Sequence, residues 1–391
     1  MLRLRCVRLL TPLVFLAIPS WAAAETLFTI TDLATLGGNQ SFARAINNHG
    51  EVTGNASTNA GSNFPLNAAR WSPGSYQSPT NLGVLPGADS NFSRGFAIND
   101  SGTVVGESSN NTSRAFMFRD GTLSDLGTLG GASAVAHGIN AHHQVVGISS
   151  TGTQSNAFLW EDGTMTNLGT LGGNFSRAWA INDGGQVVGV SRVTGNTTSH
   201  AFLHDGNSMI DLGSLGGADR FSEALAINAS GLIVGRSSLD IGGNSVQRAT
   251  LWDGVGSMID LGTLTNPDDG NPFRFSRAND INDLGVVVGT ASRFEGFSGR
   301  AFIWDATHGI RDLNSLIAPG SGWLLTSAEG INNRGQIVGF GTFEGQTRAF
   351  VLTVIPEPSS VILAAIGGIS LAAVEIARRR RSSSIHRVDH P

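Results

Sequence analysis

The chain has 391 residues, 30 acidic and 25 basic, for a formal net charge of −5. It contains no lysine, and between residues 25 and 354 there are 17 arginines against 27 acids, a net of −10. A field of that sign argues against nucleic acid or anionic lipid as a partner. The single cysteine, Cys6, excludes a disulfide framework, a thiol nucleophile and a Cys-ligated metal once the first residues are removed.

Residues 1–24 read as an export signal. Arg3, Arg5 and Arg8 make a basic start, residues 9–18 an apolar stretch, and Ala22, Ala23 and Ala24 a small-residue cleavage site before Glu25. Cleavage is expected between Ala24 and Glu25, and Cys6 leaves with the signal.

A phrase then recurs seven times. One copy runs Asp-Leu-Gly-Thr-Leu-Gly-Gly from Asp125, Gly-Ile-Asn ending at Asn140, Val-Val-Gly ending at Gly147, and Ala-Phe-Leu-Trp from Ala157. Its leading residue returns as Asp32, Asn81, Asp125, Asn167, Asp211, Asp260 and Asp312, 42 to 52 residues apart. A period of that size signals a repeat architecture. A residue present in every copy is more naturally architecture than active site.

Each copy holds four strand candidates. The first two form a hairpin, as in residues 178–182 and 186–190. The residue three after the repeated asparagine is glycine in six copies: Gly50, Gly102, Gly185, Gly231, Gly285 and Gly335. A type I turn closed by a left-handed residue needs glycine there. His143 takes the place once and reads as a turn variant, since histidine tolerates positive φ better than most residues. From the asparagine to the glycine of Val-x-Gly the distance is seven in every copy, from Asn47 and Gly54 to Asn332 and Gly339. The third strand is Ala-Phe-Leu-Trp or its equivalent. The fourth is the Leu-Gly segment, for example residues 165–171. Strands two and three are apolar at consecutive positions, which predicts burial on both faces.

Four such strands repeated seven times predict an all-β, seven-bladed β-propeller over residues 25–354. The repeat region opens on a fourth-strand segment, 27–33, and finishes on a third-strand segment, 348–353. Pairing of these two would complete one blade and close the ring, protecting its sheet edges.

After the repeats come Pro356-Glu357-Pro358, an apolar run over residues 361–377 and the block Arg378, Arg379, Arg380 and Arg381. Seventeen residues at ~1.5 Å each span roughly 25 Å, enough for a short transmembrane helix. The arginines orient residues 382–391 as a basic cytoplasmic tail and the repeats as the exported side. This trio resembles the PEP-CTERM sorting signal of Gram-negative bacteria over residues 355–381. The resemblance implies an exosortase-type membrane transpeptidase as partner, cutting near Pro356 to Pro358. It also implies transport to the envelope or beyond, often in organisms that make exopolysaccharide. The repeats in turn resemble the bacterial extracellular HAF-repeat family. His200-Ala201-Phe202 is the eponymous form, and Arg-Ala-Phe (Arg114, Arg300, Arg348) and Asn-Ala-Phe (Asn156) are variants. That resemblance covers roughly residues 32–352 and implies no particular activity.

Chemistry-bearing constellations are sparse. Acids such as Asp100, Asp183 and Asp283 sit in repeated turns, where side-chain-to-backbone hydrogen bonding is the expected role. The unrepeated acids have no diagnostic spacing. Asp268-Asp269-Gly270-Asn271 lacks the alternating ligands of a calcium loop. No Gly-x-Ser-x-Gly elbow or phosphate-binding loop occurs, and neither catalytic residue, cofactor nor metal is expected. Arg44, Arg94, Arg177 and Arg277 each precede a small residue. They could ring a channel mouth as carboxylate or sulfate clamps, but pairing with an aspartate of a neighbouring blade is the favoured expectation.

The expected function is an exported, cell-surface or extracellular binding or scaffolding module without enzymatic activity. Exopolysaccharide or surface proteins are its candidate partners. The alternative is a propeller enzyme acting on extracellular polysaccharide through Asp268, Asp269 or Glu295.

Overall fold

The computed structural model describes residues 27–59, 65–86, 92–110, 112–254, 256–294 and 299–355. The export signal with Ala24 and Glu25, the Pro-Glu-Pro motif, the apolar run 361–377 and the arginine block lie outside the described residues. Among the described residues no helix is long and apolar enough to cross a membrane.

The protein is all-β, with twenty-eight strands and a single 3-10 turn, Leu313–Ser315. The strands form seven four-stranded antiparallel units. Two pairs of units merge into eight-stranded sheets through single parallel bridges, Ser155 with Phe175 and Gln247 with Phe275. Six units follow the chain in simple order. The fourth, for example, uses Gly172–Ile181, Val187–Val193, Ser199–His204 and Met209–Gly213. The remaining unit combines Trp323–Ile331, Ile337–Phe343 and Gln346–Val354 with Phe28–Leu33, which pairs antiparallel to Gln346–Val354 from Phe28↔Val354 to Leu33↔Ala349.

The fourth strands are shorter than expected. The segment read as 165–171 ends at Asn167, because the Asn167 side-chain oxygen accepts the Gly169 backbone N–H at 2.8 Å and turns the chain. Asn81, Asp125, Asp211 and Asp260 do the same for the glycine two residues on.

Consecutive apolar positions become a core between units rather than within one. Seven clusters of buried side chains occur, and each joins two units. One packs Val105, Ala115 and Met117 of the second unit against Ala134, Ile139 and Phe158 of the third. Another packs Leu33, Val338, Ala349 and Val351 of the last unit against Ala43, Val52, Ala56 and Trp71 of the first. Phe116, Phe158, Phe202, Phe302 and Phe350, the aromatics of the Ala-Phe phrase, have no exposed surface.

Repeated polar residues stitch neighbouring units together. The serine that begins the first strand accepts the alanine N–H of the preceding unit's third strand and donates to a carbonyl beside that unit's fourth. Ser176 does so with Ala157 (2.8 Å) and Gly169 (2.5 Å). Ser41 binds Ala349 (3.0 Å) and Leu33 (2.9 Å), one from each terminal strand. The repeated asparagine makes a longer chain of contacts. Asn47 Nδ2 donates to the Asn99 carbonyl, Asn99 to Asn140, Asn140 to Asn182, Asn182 to Asn228, Asn228 to Asn282, Asn282 to Asn332, and Asn332 to Asn47, all at 2.9–3.2 Å. These asparagines are buried, so each hydrogen bond also satisfies a group that would be costly to leave unpaired.

Candidate binding site

The first strands meet one another side by side, each touching the first strand of the next unit and the last touching the first. Every one of them carries a register shift at the same place, three residues before the repeated asparagine. The cause lies in the second strand. A Cβ on the glycine of Val-x-Gly would stand 1.9–2.0 Å from a carbonyl oxygen of the first strand: Phe42 for Gly54, Arg177 for Gly189, Ser327 for Gly339. Only glycine permits that approach, and the first strand bulges just beyond it. A bulge re-aims the side chain it carries.

The bulged residues are Arg44, Phe96, His137, Trp179, Leu225, Asn279 and Glu329, and all seven line one cavity of about 280 Å³ together with Arg277. At this position, unlike the turn and core positions around it, no two copies carry the same side chain. The flanking residues are small, such as Ala136 and Gly138 or Ala178 and Ala180, which lets the strands converge. A second cavity of about 230 Å³ shares Arg44, Arg277 and Glu329 and opens toward Arg236, Gln247, Thr290, Ser327, Phe275 and Phe340.

Charges at this mouth are mostly committed. Arg44 pairs with Glu329 at 2.8 Å, between the first and last units, and the other Glu329 oxygen takes the Ser327 hydroxyl. Burial pushes the Glu329 carboxyl up, but Arg44 and Arg277 outweigh it and hold it below the usual range. Glu223 accepts Trp179 Nε1 at 2.8 Å and pairs with Arg236 at 2.9 Å. Arg94 pairs with Glu107 at 3.2 Å, which also takes the Ser113 hydroxyl.

Two groups deeper in the cavity have displaced titrations. His137 stacks on Trp179 with ring centroids 4.3 Å apart, and neither ring nitrogen, both shielded from solvent, has a hydrogen-bond partner. Burial, helped by Arg177, lowers its pKa to about 3, so it is neutral. Asp280 stands where other copies carry alanine or glycine. Burial raises it to about 7, although the backbone N–H groups of Ile331 and Ile281 favour its charged form.

The structure corrects two sequence expectations. Among the described residues, none of the four arginines pairs with an aspartate of a neighbouring unit. Arg44 meets a glutamate instead, and it occupies the bulge whereas Arg94, Arg177 and Arg277 lie two residues earlier in their copies. Arg94 pairs within its own unit. Arg177 lies over Trp179 at 5.0 Å and Phe175 at 5.7 Å with no ion pair, and Arg277 donates from Nε to Asn279 Oδ1 at 2.6 Å. The turn acids also behave differently. Asp100, Asp183 and Asp283 accept backbone N–H groups of Asn48, Ala141 and Ala229, in the turn of the preceding unit rather than their own.

The turn glycines Gly50, Gly102, Gly185, Gly231, Gly285 and Gly335 have φ between +74° and +88°, and His143 has +63°. Asp269 pairs with Arg293 at 2.6 Å and caps its own loop through the Asn271 N–H. It lies with Asp268 away from the shared cavity, and Glu295 falls outside the described residues. Among the described residues no group of three or more His, Cys, Asp or Glu side chains could hold a metal ion. The bulge position was missed from sequence because its residues do not repeat. A variable residue between two small ones, at a fixed distance from Asn, is the signal that marks it.

Residues 217–349 match a family described as "Protein of unknown function (DUF3466)". Among curated proteins none matches the sequence. Solved structures similar to this chain include TolB from Acinetobacter baumannii, at 13% identity over 74% of this chain and 76% of that one, TM-score 0.41. Trypanosoma rangeli sialidase matches at 13% identity over 90% of this chain and 59% of that one, TM-score 0.40. The catalytic domain of the Coprinopsis cinerea GH62 α-L-arabinofuranosidase matches at 8% identity over 85% and 98%, TM-score 0.31. Identities and scores this low leave the functional reading to the residues of this chain.

Proposed function

We propose that the chain is an exported, seven-bladed β-propeller that binds a ligand at the surface of a Gram-negative bacterium without turning it over. The ring is closed by the shared sheet of the N- and C-terminal strands, and the ligand enters the cavity where the first strands meet. Three observations support closure: the antiparallel pairing of Phe28–Leu33 with Gln346–Val354, the seven-membered asparagine cycle, and the apolar core between the last and first units. The observation that carries the binding role is the set of seven different side chains that equivalent bulges bring to one cavity.

Binding rather than catalysis is favoured by the state of the carboxylates there. Glu107, Glu223 and Glu329 each bond an arginine and a second donor, and Asp280 holds two backbone N–H groups. Acid–base work needs a carboxyl free to meet substrate. The full-length protein, purified in detergent and screened against glycans and surface proteins, should retain a ligand intact, and Trp179→Ala should weaken that binding. Turnover of any panel member would reject the non-enzymatic reading.

Sorting is proposed to follow the Pro356-Glu357-Pro358 motif and the arginine block, with an exosortase-like enzyme as partner. In a producing strain, Glu357→Ala should leave the precursor in the membrane at unprocessed mass. An unchanged mature mass would reject this step.

A further inference from the structure

We propose that the outer cavity receives the carboxylate of an acidic glycan, a chain containing uronic acid residues, on the guanidinium of Arg277. This rests on the reading of the shared cavity as the binding site and names its ligand class. The argument begins with charge. Three guanidiniums line the outer cavity. Arg44 is matched by Glu329 and Arg236 by Glu223. Arg277 makes no direct ion pair among the described residues, and its Nε is held by the neutral Asn279 amide. Glu329 lies near enough to feel its charge, but both Glu329 oxygens are occupied by Arg44 and Ser327. Arg177, at the equivalent position two units earlier, is also without an ion pair.

A mouth with cations to spare, set in a domain of net charge −10, selects sparse negative charge. Phosphate chains and nucleic acids would meet Glu223, Glu329 and the wider acidic surface. One carboxylate per sugar ring fits the planar fork of one arginine. The other walls suit a sugar. Gln247, Thr290 and Ser327 offer an amide and hydroxyls to ring hydroxyl groups, and Phe275 and Phe340 offer apolar surface to the C–H face of a pyranose.

Calorimetry on the full-length protein in detergent tests this with oligogalacturonate, oligomannuronate and hyaluronan oligomers, each beside its carboxyl-reduced neutral form. At least one acidic oligomer should bind, its reduced form should bind about tenfold more weakly or worse, and added salt should weaken the acidic form. Arg277→Gln should lose a similar factor, while Arg192→Gln, an exposed arginine bonded to Asn174, should not. Absence of binding by all three acids overturns the proposal, as does equal binding of acidic and reduced forms. If neutral oligomers bind and Phe96→Ala abolishes it, the cavity reading stands and the carboxylate claim falls. If an acid binds and neither Phe96→Ala nor Arg277→Gln matters, the cavity reading itself falls. The reduced ligands test the wild-type protein, so the outcome does not depend on how any variant folds.

Discussion

His137 and Asp280 sit in the same cavity and titrate in opposite senses. A free histidine titrates near 6.5 and His137 near 3. Between those values the unfolded chain binds the extra proton, so stability drains away as pH falls through that window. Asp280 moves from 3.8 to about 7. Here the folded chain holds the extra proton, so stability declines as pH rises from about 4 to 7. Thermal midpoints measured from pH 4 to 8 should therefore respond differently to two variants. Asp280→Asn should raise the midpoint at pH 8 relative to pH 4.5, and His137→Phe should flatten the loss on the acid side. Curves parallel to wild type would contradict both assignments. Neither residue was legible in the sequence as special. His137 has no sequence neighbour that marks it, and Asp280 reads as one more acid beside a turn. Their character comes from enclosure by six other strands. By contrast, the residue before Ala-Phe explains itself in pairs. His200 bonds Asp211 at 2.8 Å, Arg300 bonds Asp312 at 3.0 Å, and Arg114 bonds Asp125, while Asn67 faces Asn81 with an amide-to-amide contact. Each charged partner meets an aspartate and each asparagine an asparagine, a rule visible in the repeats only once the register is known.

At the scale of one hairpin, two kinds of glycine act for different reasons. Gly185 closes the turn at φ +78°, a conformation that costs a β-branched residue roughly 1–3 kcal/mol. Gly185→Val should lower the thermal midpoint accordingly, while Gly185→Asn should cost less, since the third copy already carries His143 at φ +63°. Equal effects would argue against a conformational cause. Gly189 adopts no unusual φ, but a Cβ there would lie 2.0 Å from the Arg177 carbonyl oxygen. Gly189→Ala must push the first strand away or flatten its bulge, at about 1–3 kcal/mol. Because the bulge aims Trp179, this variant should also weaken ligand binding at the shared cavity, whereas Gly185→Val should act on stability alone. Loss of binding in both, or in neither, would separate the bulge from the site. The constant spacing of seven from Asn to Gly was legible because it is the length of chain between the asparagine cycle and this close approach. The extent of the fourth strands was not, because an Asx turn ends them sooner than their apolar residues suggest.

For the whole molecule, the sequence made the number of units and the complementary ends legible, since a repeat that opens on its last strand and closes on its third invites pairing. What stayed hidden is the convergence of first strands, which exists only when all units are assembled. Arg44 and Glu329, 285 residues apart, meet only because the last unit packs on the first. The candidate site therefore depends on the ends sharing a sheet. Thr29 and Thr353 are exposed cross-strand partners in that sheet, at a separation suited to a disulfide. In a Cys6→Ser background, the double variant Thr29→Cys, Thr353→Cys should form an intramolecular disulfide in air. Its thermal midpoint should exceed that of the same protein after reduction, because the bond closes a very long loop of the unfolded chain. A variant that stays reduced, links only between molecules, or melts earlier when oxidised would contradict the shared sheet and the cavity built upon it.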